Sequence, residues 1–353
     1  MSDWRVITFV GGATVLASVG AAFGAWVERN LRSSIRGLHK VERAGYTEQQ
    51  ALIDGSVINY GRGPDRSGPV LLLIHGQAVD WKQYYRVLPQ LAEDFRVFAV
   101  DVYGHGGSDR VPSKYCATAI GADLAAFIEQ EIGEPVVVAG HSSGGQLAAW
   151  IAGHRPDLVR GVVLEDPPLL TTQLPRAEKT WNWVDLATAC HEFLALPGPE
   201  LDWPAYYFAH QRLWKFFGKS AKRIIRRGLA THAKAPDRPI TLFFMPPGWN
   251  DMQRTLRSYD PRFGDAFYTG DWDTGFDQQK TLESITAPTT LIHANWRYGD
   301  DGVLQGAMDG DDAARVTALI DGAALVRVNS GHNVHGERPK EFLKAVRDLM
   351  TRL

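Results

Sequence analysis

Six short apolar runs recur along this chain, each closing on a polar or glycine-containing turn: "PVLLLIHG" (69–76), "FRVFAVDVYGHG" (95–106), "PVVVAGHS" (135–142), "GVVLEDPP" (161–168), "TTLIHAN" (289–295) and "AALVRVNSGH" (323–332). Nothing else in the sequence constrains the fold as strongly. Nearly continuous hydrophobic strands are buried on both faces, as in parallel sheets. Between them, "YYRVLPQLAE", "IGADLAAFIEQEI", "GGQLAAWIAGH" and "PKEFLKAVRDLMTRL" carry apolar residues at helical spacing, which supplies the right-handed crossovers such a sheet needs. The expected fold is α/β: a mostly parallel, doubly wound sheet. "ALIDGSVINYGRGP" (51–64) reads as a leading hairpin.

One interval breaks the alternation. From 169 to 284 the chain is rich in aromatics, among them Trp181, Trp183, Trp203, Tyr206, Tyr207, Phe208, Trp214, Phe216, Phe217, Phe243, Phe244 and Trp249, with no strong β run. It is far too long for a loop and reads as a helical cap inserted after the sixth strand. The expected division is an apolar helix and linker at 1–45, a core of 46–168 with 285–353, and the cap at 169–284. Most cap aromatics are expected to form a core of their own, with some lining an apolar cavity.

The N-terminus is unusual. "VITFVGGATVLASVGAAFGAW" (6–26) carries no charge, and its length as a helix, about 32 Å, approaches the thickness of a bilayer core. Three readings stand: a membrane anchor, a signal peptide cleaved near Ala21 and Ala22, or an apolar helix docked on the fold. Arg29, Arg32, Arg36 and Lys40 follow the run while only Arg5 precedes it. By the positive-inside bias a span would leave the main domain cytoplasmic; secretion after cleavage is the alternative. Ala13, Ala17, Ala21 and Ala25, with Gly20 and Gly24 alongside, form a small-residue stripe suited to a second helix, and so to a homo-oligomer.

A formal charge of −2 argues against nucleic acid as a partner. Cys116 and Cys190 lack metal-ligand spacing, and neither a metal cluster nor a nucleotide-binding glycine loop is present in the sequence. No cofactor is expected.

The chemistry centres on "GHSSG" (140–144), which satisfies G-x-S-x-G with Ser142 at its middle, after a β run and before a helix. A hydroxyl at neutral pH is a poor nucleophile, so it needs a base and a turn that presents it clear of its strand. The flanking glycines let strand and helix pass closely. The Ser143 amide, at the helix start, is positioned to donate to a developing oxyanion.

Together "LLLIHGQAVDW" (71–81), "DVYGHGGSD" (101–109), "GHSSGG" (140–145) and "SGHNVHGERPKEF" (330–342), in this order, resemble the α/β-hydrolases from about residue 50 onward. That resemblance implies His332 as general base and the Gln77 amide as second oxyanion donor. His335 then fits a supporting or packing role, His75, His105 and His141 fit turn packing, and Ser108 an ordinary turn hydroxyl. For the acid, the family's usual location past the penultimate strand falls near Arg297, which cannot serve. Asp300 follows shortly and is the favoured reading. Asp301 and Asp166, in "VVLEDPP" beside Glu165, are the alternatives. Dehalogenases and epoxide hydrolases of this fold form an ester on an aspartate, whereas this chain offers a serine. The reaction so implied is carboxylic ester hydrolysis through an acyl-enzyme, on small to medium apolar esters. A lactonase, a C–C bond hydrolase or a perhydrolase would use the same residues, and a hydrolase-like ligand receptor could keep them without turnover. Arg176, Arg212, Lys215, Arg226 and Arg227 put positive charge in the insertion. They form a solvated face, or one of them pairs with the carboxylate of a half-ester.

Overall fold

The structure is a computed structural model that describes residues 4–198 and 201–353, with side chains in the first helix described from Phe23 onward. Eight strands form the main sheet: β1 Thr47–Ile53, β2 Ser56–Arg62, β3 Val70–Ile74, β4 Arg96–Val100, β5 Val136–His141, β6 Val159–Glu165, β7 Thr289–His293 and β8 Ala324–Arg327. Their spatial order is β1-β2-β4-β3-β5-β6-β7-β8. The β1–β2 and β2–β4 pairs are antiparallel and the remainder parallel. The leading hairpin is as expected, with Asp54 and Gly55 both at positive φ (46° and 74°) in its two-residue turn.

Helix α1 (Trp4–Arg43) precedes the sheet; α2 (Leu88–Asp94), α3 (Ala117–Phe127) and α4 (Ser143–His154) cross between successive parallel strands. The insertion after β6 holds α5 (Thr188–Leu194), α6 (Trp203–His210), α7 (Ala221–His232), α8 (Pro247–Thr255), α9 (Pro261–Thr269) and α10 (Gln278–Glu283). Then come α11 (Gly310–Leu319) between β7 and β8, and α12 (Val334–Glu337) and α13 (Pro339–Met350) at the end.

Strand alternation divides the core into two layers. Leu72, Ile74, Val138, Val162 and Leu164 face one layer, with α3, α4, α10 and α11. Leu71, Leu73, Val137, Ala139 and Val163 face the other, with α2, α13 and the end of α1. All five residues of β3 are buried, so this unbroken apolar run serves both layers at once. Each fully buried leucine contributes about 1.5–3 kcal/mol.

The insertion's aromatics do not form one separate core. Phe193, Trp203, Tyr207, Tyr259, Phe263, Phe267 and Trp272 are continuous with the main core layer. Only Phe208, Trp214 and Ile240, with neighbours such as Phe217 and Trp249, make a satellite cluster. Cys116 and Cys190 are both free thiols.

Among the described residues no helix is long and apolar enough to cross a membrane. Most of the uncharged stretch 6–26, where an anchor was expected, lies outside the residues with described side chains. Its last part packs on the insertion: Phe23 and Trp26 meet Phe243 edge-on, each with ring centroids 6.2 Å apart. Farther along α1, Asn250 Nδ2 of α8 donates to the Asn30 carbonyl (3.0 Å) and Arg254 Nη2 to the Leu31 carbonyl (2.5 Å).

Candidate active site

Every residue singled out as nucleophile, base or oxyanion donor sits just past the carboxyl end of a parallel strand, where open α/β sheets bind ligands. Ser142 directly follows β5 and holds φ 54° and ψ −125°, a conformation that strains a non-glycine residue. Close packing enforces it. A Cβ on Gly140 would lie 2.0 Å from the Gly144 carbonyl oxygen, and one on Gly144 would lie 2.2 Å from that of Ile74. Only glycines allow strand β5, helix α4 and the end of β3 to approach this closely.

The same crowding sets the Gln77 loop against the serine. A Cβ on Gly76 would come within 2.9 Å of Ser142 Cβ. Among the described residues, neither the Gln77 nor the Ser143 backbone N–H donates to a protein acceptor. Two free amides therefore flank Ser142. Its own N–H donates to the Glu165 carbonyl at 3.0 Å.

His332 follows β8 and donates from Nδ1 to Asp166 Oδ2 at 2.7 Å. The Asp166 carboxylate is almost fully buried, at φ 43°, and its Oδ1 accepts the Ala294 N–H at 3.0 Å. The donation fixes the imidazole tautomer, leaving the Nε2 lone pair available. Burial works against the charged imidazole, but the hydrogen bond and charge of Asp166, aided by Glu165 and Glu337, hold the His332 pKa above its ordinary value.

This pairing corrects the sequence expectation for the acid. Asp300 is exposed in the loop after β7 and makes no side-chain hydrogen bond to a described residue. Asp301 is held by Arg212 Nη2 (2.6 Å) and Lys215 Nζ (2.8 Å), which keep its carboxyl well below the usual range. The loop does not fold back because Asp301 is bound to the insertion, while Asp166 already occupies the space beside the imidazole.

Ser142 Oγ and His332 form no hydrogen bond among the described residues, so the direct reach expected from sequence is not realised in this conformation. Their adjacency runs through His141, whose Nε2 donates to the His332 carbonyl at 3.0 Å and whose ring centroid lies 4.6 Å from that of His332. Bonds of this kind are commonly long in free enzymes and tighten on binding. Burial, with His332 and His335 nearby, keeps the His141 pKa far below its ordinary value and the ring neutral.

The remaining histidines pack as expected. His75 Nε2 accepts the Val102 N–H (2.9 Å), His105 Nε2 accepts the Ala78 N–H (3.2 Å), and Ser108 Oγ donates to the Asp101 carbonyl (2.7 Å). His335 has a partner that sequence reasoning missed: Glu165, whose carboxylate accepts both the His335 backbone N–H (2.7 Å) and Nδ1–H (2.8 Å), wholly buried. The signal was present as two acids followed far downstream by two histidines three apart.

The insertion lies over this site. Asn182 and Tyr259 contact the Gln77 side chain at 3.3 and 3.4 Å, and Thr255 Oγ1 donates to the Ala78 carbonyl at 2.6 Å. Of the cations singled out there, Arg176 pairs with Asp309 and Asp312, and Arg212 and Lys215 with Asp301, while Arg226 and Arg227 are exposed and pair with no described acid. Among the described residues, no group of three or more acids, histidines and cysteines could hold a metal ion.

A sequence profile of the "Alpha/beta hydrolase family" matches residues 71–345. Among curated proteins, the chain is 32% identical over 120 residues to a soluble epoxide hydrolase from Corynebacterium sp., covering 34% of this chain and 41% of that one. It is 38% identical over 117 residues to the lipase LipV from Mycobacterium tuberculosis, covering 33% and 42%. These matches span about two fifths of the relatives' length. Among solved structures, a bacterial membrane phospholipase A aligns over 98% of both chains with a TM-score of 0.60 at 20% identity, which speaks to the fold alone.

Proposed function

Because the chain belongs to the alpha/beta hydrolase family, we propose that it is a serine hydrolase that cleaves carboxylic esters through an acyl-enzyme. The observation that carries this reading is the 2.7 Å Asp166–His332 pair next to a serine held at positive φ between two free amides. Ser142 Oγ attacks the ester carbonyl while His332 Nε2 takes its proton. Asp166 orients the imidazole and stabilises it once charged. The Gln77 and Ser143 amides donate to the oxyanion of the tetrahedral intermediate. His332 then returns the proton to the departing alcohol. Water, deprotonated by the same imidazole, attacks the acyl-Ser142 ester, and its collapse frees the acid and the serine.

The nucleophile separates this chain from epoxide hydrolases such as its Corynebacterium relative, since the elbow offers a hydroxyl and no carboxylate. The reading agrees with the likeness to a lipase. In this proposal residues 169–284 act as a cap, and Tyr259, which contacts the Gln77 side chain and packs on Trp203, favours an apolar acyl or alkyl group. The ion pairs of Arg176, Arg212 and Lys215 favour neutral esters over half-esters, because a substrate carboxylate would have to displace an existing acid.

The test is Ser142→Ala. It is expected to abolish p-nitrophenyl ester turnover while leaving the thermal unfolding transition in place. Turnover retained by the folded variant refutes the assignment.

A further inference from the structure

The mechanism leaves unused the most charge-asymmetric segment of the chain. Residues 212–238 contain nine Lys and Arg and one acid, Asp237, in a protein whose overall charge is only −2. Arg212 and Lys215 are paired with Asp301. Lys219, Lys222, Arg223, Arg226 and Arg227 are exposed, and none forms an ion pair with a described acid. They follow from the amphipathic pattern of α7. Its apolar residues, Ile224, Ile225 and Leu229, pack on the satellite cluster of Phe208, Trp214 and Ile240, so the cations are left on the outer side.

A second observation comes from exposed aromatic side chains in the same segment and near that cluster. Phe216 is 58% exposed next to the cationic stretch, and Phe243 and Phe23 are 44% and 56% exposed. Rings connect Phe243 and Phe23 to the satellite cluster: Trp214 to Phe217, Phe217 to Phe244, Phe244 to Phe243, and Phe243 to Phe23 and Trp26 of α1, while Phe216, one residue from Phe217, stacks on Trp181. Arg29 and Arg32 of α1 are also exposed, with no described acid as partner. Exposed aromatic rings bordered by unpaired cations match the chemistry of an anionic bilayer surface, where basic groups meet lipid phosphates and rings enter the interface.

We infer that the outer face of α7, with Phe216, Phe243 and the Phe23 end of α1, docks onto an anionic phospholipid surface. The apolar side of α7 is already used within the protein, so α7 lies on the headgroups rather than inserting. Phe216, Phe243 and Phe23 supply the shallow apolar contact. The attraction is screened over about 8 Å at physiological salt, so docking weakens as salt rises.

The experiment uses the full chain, sedimented with vesicles of phosphatidylcholine alone or of phosphatidylcholine and phosphatidylserine in a two-to-one ratio. Each basic residue at the surface contributes roughly fivefold to partitioning onto an anionic leaflet. The combined variant Lys219→Gln, Lys222→Gln, Arg223→Gln, Arg226→Gln and Arg227→Gln is expected to reduce the anionic-over-neutral preference at least about tenfold. Phe216→Ser is expected to weaken binding to both vesicle types by severalfold. Hydrolysis of a soluble p-nitrophenyl ester should stay within about twofold of wild type in both variants, since neither touches the site. Should the five-residue variant fail to fold, Arg226→Gln and Arg227→Gln made singly each carry the same fivefold expectation. Equal binding to neutral and anionic vesicles, a preference unchanged by the charge variants, or equally tight binding to soluble polyphosphate would each overturn the inference.

Discussion

Replacing Asp166 with asparagine removes one negative charge and little volume, and it tests the assignment of the acid directly. In the wild-type protein Oδ2 accepts His332 Nδ1–H at 2.7 Å and Oδ1 accepts the Ala294 N–H at 3.0 Å. The amide oxygen of Asp166→Asn can keep only one of these. If it keeps Ala294, an NH2 group faces Nδ1 and turns the imidazole to the tautomer whose Nε2 carries the proton, which cannot accept from Ser142. The imidazolium formed on attack also loses its counter-charge. At an effective dielectric of about 20 and a separation of about 4 Å, that interaction is worth about 4 kcal/mol, or about three decades in rate. The tautomer change moves the total toward the roughly 10⁴-fold loss seen when a protease triad is altered in this way. The assay is kcat for a p-nitrophenyl ester across pH, with circular dichroism to verify folding. Only the neutral imidazole accepts the serine proton, so wild-type kcat/KM should rise through an acidic limb above the ordinary histidine value of 6.5, because Asp166 raises the His332 pKa. In Asp166→Asn the limb should move to lower pH while the plateau falls about a thousandfold or more. Asp300→Asn and Asp301→Asn should stay within about twofold of wild type. An Asp166→Asn enzyme with undiminished kcat, or an Asp300→Asn enzyme losing more than tenfold, would refute the reasoning.

Two further outcomes concern the scaffold. Gly140→Ala puts a methyl group 2.0 Å from the Gly144 oxygen and 2.6 Å from the Gly145 nitrogen, and urea unfolding should show a loss of about 3 kcal/mol or more; Gly133→Ala, with nothing within 4 Å but φ 76°, should lose only about 1 kcal/mol. Burial, together with the Asp101 charge, pushes the Asp80 carboxyl up to about 6; between an unfolded value near 3.8 and that pKa the folded state binds the extra proton, so this contribution declines as pH rises through 6. Asp80→Asn keeps an acceptor for the Lys82 N–H and should raise Tm more at pH 8 than at pH 5, and an equal shift at both would contradict the linkage.

How much of this was legible in the sequence follows from the range of each interaction. The "VLLLI" of β3 announces a strand buried on both faces, because periodicity is local and its consequence is local too. "GHSSG" announces an elbow for the same reason, since the steric demand of Gly140 and Gly144 falls within five residues. The carboxylate that pairs with His332 was not legible in this way. Asp166 and His332 are 166 residues apart, and the choice between Asp166 and Asp300 depends on which strand end meets the last loop. A spacing argument favoured Asp300. The loop instead turns toward the insertion because Asp301 binds Arg212 and Lys215, a pairing between segments 86 and 89 residues apart. The aromatic composition of 169–284 revealed a helical insertion, yet not that Trp203, Tyr259 and Trp272 would join the main core. That depends on how the insertion folds back over the sheet, which no helical period encodes.

Glu165 and Asp166 set Ser142 and His332, the proposed nucleophile and base, in one frame. Consecutive residues at a strand end point to opposite faces, so one carboxylate reaches the buried His335 and the other the half-exposed His332. The histidine loop is thus held at two points three residues apart, one inside the protein and one at the site. The elbow is referenced to the same residue, since the Ser142 N–H donates to the Glu165 carbonyl. Displacing Ser142 relative to His332 would therefore require breaking a backbone hydrogen bond, a wholly buried carboxylate–histidine contact or the Asp166 pair. On the proposed mechanism, the sub-ångström positioning of Oγ against Nε2 that the rate requires therefore rests on the end of β6.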